Sequence, residues 1–337
     1  MGYALSDTTD TSFAKVCQHA HDEYCVECDA LRTALDEIRS LIEQTTFDSE
    51  DDRDEALYVA KHSTQAILAW KAHQLRTIRQ DQSRLEVLEH LDRESVLITQ
   101  DWAMKLLPRK YRESQTDWFA KRGISWHISV VVRRQNNNFE SQGFVHIVQR
   151  CSQGSLAVVS IMAHILRTLK KEHPEIKKAY FRQDNAGCYH SASTIVSVPA
   201  IAQESGVHVA EVSFSDPQGG KGPADRMAAT IKGHIKRFIN EGNDVTNAKE
   251  MEKAILSHGG LPGVRVTVLD QLGESDDCGN LQKITGISKL NNFRFCSQRV
   301  QVWQAYDIGP GKIIHLANKP AGMLFILMTF ICICLIL

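Results

Sequence analysis

Apolar and polar positions along the chain change their period once, near Ser95, and that change divides the sequence. Before it, Leu31, Leu35, Ile38 and Ile42 recur at helical spacing. The acidic run Ser49 to Glu55 interrupts them. A second helical stretch follows from about Glu55 to His90, with Leu57, Ala60, Ala66, Ile67, Trp70, Leu75 and Ile78 mostly on one face. From Ser95 on, short β-branched and apolar runs take over: VLITQDWAMKLL, ISWHISVVVR, GFVHIVQR, AYFRQD and VHVAEVSF read as five strands. Between the third and fourth, Leu156 to Lys171 forms an amphipathic helix with Val159, Met162, Ile165, Leu166 and Leu169 inward. A short helix separates the fourth strand from the fifth, and a strong one runs from Pro223 to Asn240 after the glycine-rich DPQGGKGP.

Three strands joined by short turns make an antiparallel meander, and strands reached through helices are normally parallel to a neighbour. The expected fold is therefore α/β, a mixed five-stranded sheet flanked by helices and preceded by a helical arm. The expected divisions are a disordered start with a Cys/His segment (1–30), the arm (31–93), the α/β core (94–245), a small α+β extension (246–320) and a hydrophobic tail (321–337).

Composition adds few constraints. Lys plus Arg (39) nearly balance Asp plus Glu (40), so nucleic acid could be contacted only by a local basic face. Nine cysteines without a secretory pattern point to a reducing compartment. The tail AGMLFILMTFICICLIL carries no charge, and as a helix it would span roughly 25 Å. A membrane anchor through 321–337 is one expectation and a tail packed on protein is the other.

Chemistry concentrates at three places. Asp101 follows the buried-looking VLITQ at the expected end of the first strand, and Asp184 ends the fourth. Carboxylates at neighbouring strand ends can share a divalent cation such as Mg²⁺ or Mn²⁺. Asp225, in the first turn of the helix opened by Pro223, is the favoured third acid, with Asp216 at the end of the fifth strand as the alternative. Lys221, Arg226, Lys232, Lys236 and Arg237 could track a phosphate backbone beside these acids. A nucleotide-binding loop is excluded, because Gly222 and Pro223 follow Lys221 where Ser or Thr is required. CQHAHDEYCVEC places Cys17, His19, His21, Cys25 and Cys28 close together. Cys17, His21, Cys25 and Cys28, with His19 as the alternative ligand, would close a tetrahedral structural zinc site.

The order of elements, the placement of Asp101 and Asp184, and FSDPQGGKGPADRMAATIKGHIKRFINEG together resemble the ribonuclease H-like core of eukaryotic DDE/D transposases over residues 95 to 245. The resemblance implies metal-dependent cleavage and strand transfer of DNA in the nucleus, with the three acids as metal ligands. Many such enzymes carry glutamate at the third position, where this chain has aspartate. A catalytically inactive, zinc-bearing DNA- or protein-interaction module and a tail-anchored adaptor are the alternatives.

Overall fold

A computed structural model describes residues 5, 7, 9–14, 25–119, 121–136, 138–216, 222–272, 282–296 and 299–316. The arm is two helices, α1 (Val26–Gln44) and α2 (Glu50–Glu89). The acidic run expected to interrupt the helical pattern instead opens α2. Ser49 Oγ accepts from the Asp52 amide at 3.1 Å, and Glu50, Asp51 and Asp52 oppose the positive end of the helix dipole.

The core follows as β1 (Ser95–Leu106), α3 (Gln115–Trp118), β2 (Ile124–Gln135), β3 (Asn138–Cys151), α4 (Ser155–Glu172), β4 (Lys178–Gln183), α5 (Ala192–Ser205), β5 (His208–Phe214) and α6 (Pro223–Asn240). β1 pairs antiparallel with β2 and β2 with β3, while β1, β4 and β5 run parallel. This central order, β3-β2-β1-β4-β5, with helices on both faces, is the ribonuclease H-like arrangement.

Among the described residues the sheet has nine strands, not the expected five. After α7 (Ala248–Leu256), β6 (Val264–Leu272) adds parallel to β3 at one edge. At the other edge β7 (Asn292–Cys296), β8 (Arg299–Trp303) and β9 (Lys312–His315) continue antiparallel from β5. The residues set apart from sequence as a C-terminal extension thus cover both open edges of the core sheet, where unpaired backbone groups would otherwise face solvent. Their strands are short, and local pattern alone does not say to which sheet a short strand belongs.

Two apolar layers enclose the sheet. α4 and α5 pack on one face with Phe144, Phe181 and Phe214, and α6 and α7 pack on the other with Trp126, Ile128 and Val145. Covered on both faces, the first eight residues of β2 are all buried, so that strand reads as a nearly continuous apolar run. Phe13, from the start expected to be disordered, is 5% exposed and joins the α4–α5 layer. Nearby, the Ser12 carbonyl accepts from the Gly311 amide at 2.8 Å. Among the described residues no helix is long and apolar enough to cross a membrane, and the tail 321–337 lies outside them.

A candidate acidic active site

β1 does not end at Asp101. It continues to Leu106, with Asp101 opposite Ile128 and Trp102 opposite His127 on β2. What ends at this point is the pairing with β4: the parallel register runs to Gln100 opposite Gln183, one residue before each aspartate. Asp101 and Asp184 therefore leave adjacent parallel strands at the same level, at the carboxyl edge where open α/β sheets bind ligands. Beneath them, Gln183 Nε2 donates to Gln100 Oε1 at 2.8 Å, and Gln100 Nε2 donates to Ser129 Oγ at 3.1 Å. This buried amide chain ties β4, β1 and β2 together immediately below the acids.

A cleft of about 250 Å³ opens above this edge. Asp101, Asp184, Asp216 and Asp225 all line it, so the four acids singled out in the sequence do meet. Their states differ. Asp184 and Asp225 are exposed, and Asp101 is half-buried. Burial, reinforced by the charges of Asp184 and Asp225, pushes the Asp101 carboxyl up to about 7. Asp225 Oδ2 accepts from the Gly222 amide at 2.8 Å and so caps its own helix. Asp216 is 5% exposed and already paired: His73 Nδ1 lies 2.9 Å and Arg76 Nε 3.1 Å from its Oδ2.

These partners make the third acid a question of geometry. Among the described residues no three His, Cys, Asp or Glu side chains are grouped closely enough to hold a metal ion between them. Asp101, Asp184 and Asp225 nevertheless line one cleft, where the charges of Asp184 and Asp225 add to burial in raising the Asp101 carboxyl. Both observations hold if the carboxylates face one space but Asp225 is turned onto its cap. Asp101 and Asp184 are then the pair that could hold a hard divalent cation, which needs only one or two protein carboxylates and fills its other positions with water.

The sign of the Asp101 shift sets a pH dependence. A carboxyl raised by folding contributes stability that is complete below about pH 3.8 and lost as pH rises through about 7. A shift of this size corresponds to at most about 4 kcal/mol, and on the order of 2 kcal/mol once the open, solvent-screened cleft is allowed for. Asp101→Asn is therefore expected to gain stability over the parent at pH 8 and little at pH 4. Thermal melts of the metal-free proteins at the two pH values measure this, and a variant less stable at pH 8 would contradict it.

The basic residues are distributed unevenly. Arg226 lines the cleft. Lys232, Lys236 and Arg237 are exposed further along α6, with Lys232 over the Trp126 ring at 5.8 Å and Arg237 Nε donating to Glu241 at 3.0 Å. Lys221 lies outside the described residues. Two cleft arginines were not found from sequence, Arg84 on α2 and Arg182 on β4. Arg182 follows Phe181, which faces the α4–α5 layer, so it points to the opposite face. There its Nη1 donates to the Gln80 carbonyl at 2.6 Å. Burial draws its guanidinium down to about 10, still charged at neutral pH. Its position in FRQD was the available signal. Arg84 lies beyond reach of local pattern, because only tertiary packing brings α2 to the cleft.

Next to Asp101, the partly buried Trp102 joins the buried His127, His146 and Tyr189 in an aromatic and imidazole group, with Trp102 edge-on to His127 at 4.9 Å. Burial holds His127 down to about 3, so its ring is neutral. The Cys/His segment is only partly visible. Cys25 is the N-cap of α1 and Cys28 lies in its first turn, both as free thiols. Lys71 beside Cys28 is the main cause of its lowered pKa. Cys17, His19 and His21 lie outside the described residues.

Comparison with known proteins gives three results. Solved structures similar to this chain include the Mos1 mariner paired-end complex with Mn, at 11% identity and TM-score 0.27, covering 71% of this chain and 78% of that one. The human cytomegalovirus terminase nuclease domain, Mn-soaked and inhibitor-bound, is similar at 9% identity and TM-score 0.23, covering 52% of this chain and 68% of that one. No curated protein matches the sequence. A family model does match, over residues 80–283, and by that match the chain belongs to the family described as "Domain of unknown function (DUF8701)".

Proposed function

We propose that the chain is a transposon-derived, DNA-processing protein whose acidic cleft supports metal-dependent phosphoryl transfer, acting in the nucleus. The observation that carries this reading is the placement of Asp101 and Asp184 one residue beyond the paired ends of adjacent parallel strands, facing one cleft with Asp225. Burial, with the neighbouring charges of Asp184 and Asp225 added, raises the Asp101 carboxyl to about 7, and a divalent cation would favour its ionised form. When bound, Mg²⁺ or Mn²⁺ would polarise the phosphate and activate an attacking water or hydroxyl. The chain's own part is to hold Asp101 and Asp184 on strands braced by the Gln183–Gln100–Ser129 hydrogen bonds. Arg226, Arg84 and Arg182 supply positive charge along the cleft for a phosphate backbone. Cys25 and Cys28 fit one half of a structural zinc site, with Cys17 and His21 as the other half.

The test is nicking of supercoiled plasmid by the full chain with Mn²⁺ or Mg²⁺, compared with EDTA. Metal-dependent nicking that disappears in Asp101→Ala supports the proposal, and equal nicking by parent and variant removes it. A second reading, a DNA- or protein-binding module that does not cut, is favoured by the engagement of Asp225 with Gly222 and of Asp216 with Arg76. It predicts DNA binding without metal-dependent nicking.

A further inference from the structure

A second polar pocket lies away from the acidic cleft, where the C-terminal hairpin meets β5 and α2. Its floor is made by a backbone irregularity. The β4–β5 register runs Ala179 opposite Val209 and then Tyr180 opposite Glu211, so Ala210 is an extra residue bulged out of β5. Because of the bulge, Glu211 and Val209 do not share a face as strand alternation would dictate. Val209 stays in the α4–α5 layer, while Glu211 turns to the other side beside Ser83 of α2.

Glu211 is only 6% exposed, yet its carboxylate is loosely held. Ser83 Oγ lies 3.3 Å and Asn292 Nδ2 3.4 Å from Oε1, and Arg294 Nη2 lies 3.8 Å from Oε2. Both oxygens keep acceptor capacity, since a carboxylate has about four lone-pair sites. Asn292 is 1% exposed, and its Oδ1 is buried with no hydrogen-bond partner among the described residues. Buried polar atoms are nearly always paired, so an orphan acceptor beside an under-bonded carboxylate is unusual. A cavity of about 240 Å³ is lined by these two residues together with Arg294, Trp303, Tyr306 and Asp307. The Arg294 guanidinium stacks over the Trp303 ring at 5.1 Å and presents a flat cationic surface.

The pocket therefore offers acceptors on its floor, a planar surface at its wall and a fixed positive charge. A cationic ligand such as an amine would meet Arg294 at close range. A neutral, flat group with adjacent N–H donors fits all three features, because it can donate to the carboxylate and stack on the guanidinium–indole pair. Among nucleobases only guanine has a ring N–H and an exocyclic amine side by side on its pairing edge. Adenine offers there one donor and one acceptor.

We propose that Glu211, Asn292, Arg294 and Trp303 form a binding pocket for a guanine base, either in a free nucleotide or splayed from a single strand. Glu211 accepts from the two donors of the base, and the Arg294–Trp303 stack supports its plane. The pocket shares none of these four residues with the acidic cleft, so its occupancy does not depend on phosphoryl transfer there.

The full chain is titrated with guanosine, inosine and adenosine monophosphates, and separately with thymidine oligonucleotides carrying one central guanine, hypoxanthine or adenine. At least about tenfold tighter binding of guanine than of the hypoxanthine and adenine counterparts is expected, since hypoxanthine lacks the exocyclic donor. A preference among the monophosphates identifies a free nucleotide as ligand, and one confined to the oligonucleotides identifies a single strand. Glu211→Gln is expected to abolish the preference and Asp184→Asn to leave it intact. Absence of any guanine preference in both series overturns the proposal. So does a preference unchanged in a folded Glu211→Gln protein, or one lost only in Asp184→Asn. If Glu211→Gln does not fold, the guanine-to-hypoxanthine ratio on the parent chain decides.

Discussion

Asp184→Ala is expected to lower Mn²⁺-dependent nicking by at least about a hundredfold, with the fold and thermal stability nearly unchanged. The magnitude follows from the role proposed for the residue: loss even of a group that only orients a metal ligand commonly costs 10–100-fold, and loss of a ligand costs more. Stability is spared because Asp184 is exposed and bonds locally, its Oδ1 accepting from the Asn185 amide at 2.7 Å. Asp101→Ala should match it in activity. Asp225→Ala should cost roughly tenfold or less, because that carboxylate is occupied by the Gly222 amide. Plasmid nicking at saturating Mn²⁺ ranks the three variants. A ranking in which Asp225 matters most would mean that the side chain leaves its cap to bind metal.

The second large effect concerns the arm. Removing Arg76 leaves the buried Asp216 carboxylate with His73 as its remaining ion-pair partner among the described residues. Breaking one side of a buried ion pair costs about 3–5 kcal/mol, because the surviving charge stays desolvated. Arg76 is one-third exposed, so Arg76→Ala is placed at the lower end, about 3 kcal/mol. Adding Asp216→Asn removes the stranded charge and should recover at least half of the loss. Urea unfolding of the parent, the two single variants and the double variant closes the cycle. Additive single effects would show that Arg76 and Asp216 do not depend on one another.

The same pair shows what the sequence does not reveal about Asp216: it lines the cleft, but its carboxylate is held by Arg76 and His73. Its position at the end of β5 is correct, but its partners lie 140 and 143 residues earlier in the chain. No local pattern announces them. The central strands and the helices α4 and α6 were legible because β-branched runs and helical spacing are local properties, and Pro223 marks the start of α6 where the structure places it. The level of Asp101 with Asp184 was legible for the same reason, although Asp101 lies within its strand and not at its end. Local pattern sets the edge strands β6 to β9 apart as a separate unit, because strand pairing is decided by which open edge needs covering. Glu211 was hidden most completely. Within VHVAEVSF it reads as one polar residue of a strand, and only the bulge at Ala210 turns it into the floor of a pocket.

The arm also gives the cleft part of its wall. Asp81 and Arg84 of α2 line it, and Gln80 Nε2 donates to the Phe214 carbonyl at 2.7 Å at the end of β5. The family match begins at residue 80, in this last stretch of α2, so the matched region includes the part of the arm that completes the site.

In the proposed reaction Asp101 and Asp184 hold a divalent metal together. Anomalous X-ray scattering from crystals of the full chain soaked in Mn²⁺ tests it most directly. A manganese peak is expected in the cleft with oxygens of both carboxylates at roughly 2 Å, absent from Asp184→Ala crystals soaked identically. A cleft without manganese at saturating concentration, or a peak bound to Asp216 in place of Asp101 and Asp184, would contradict it.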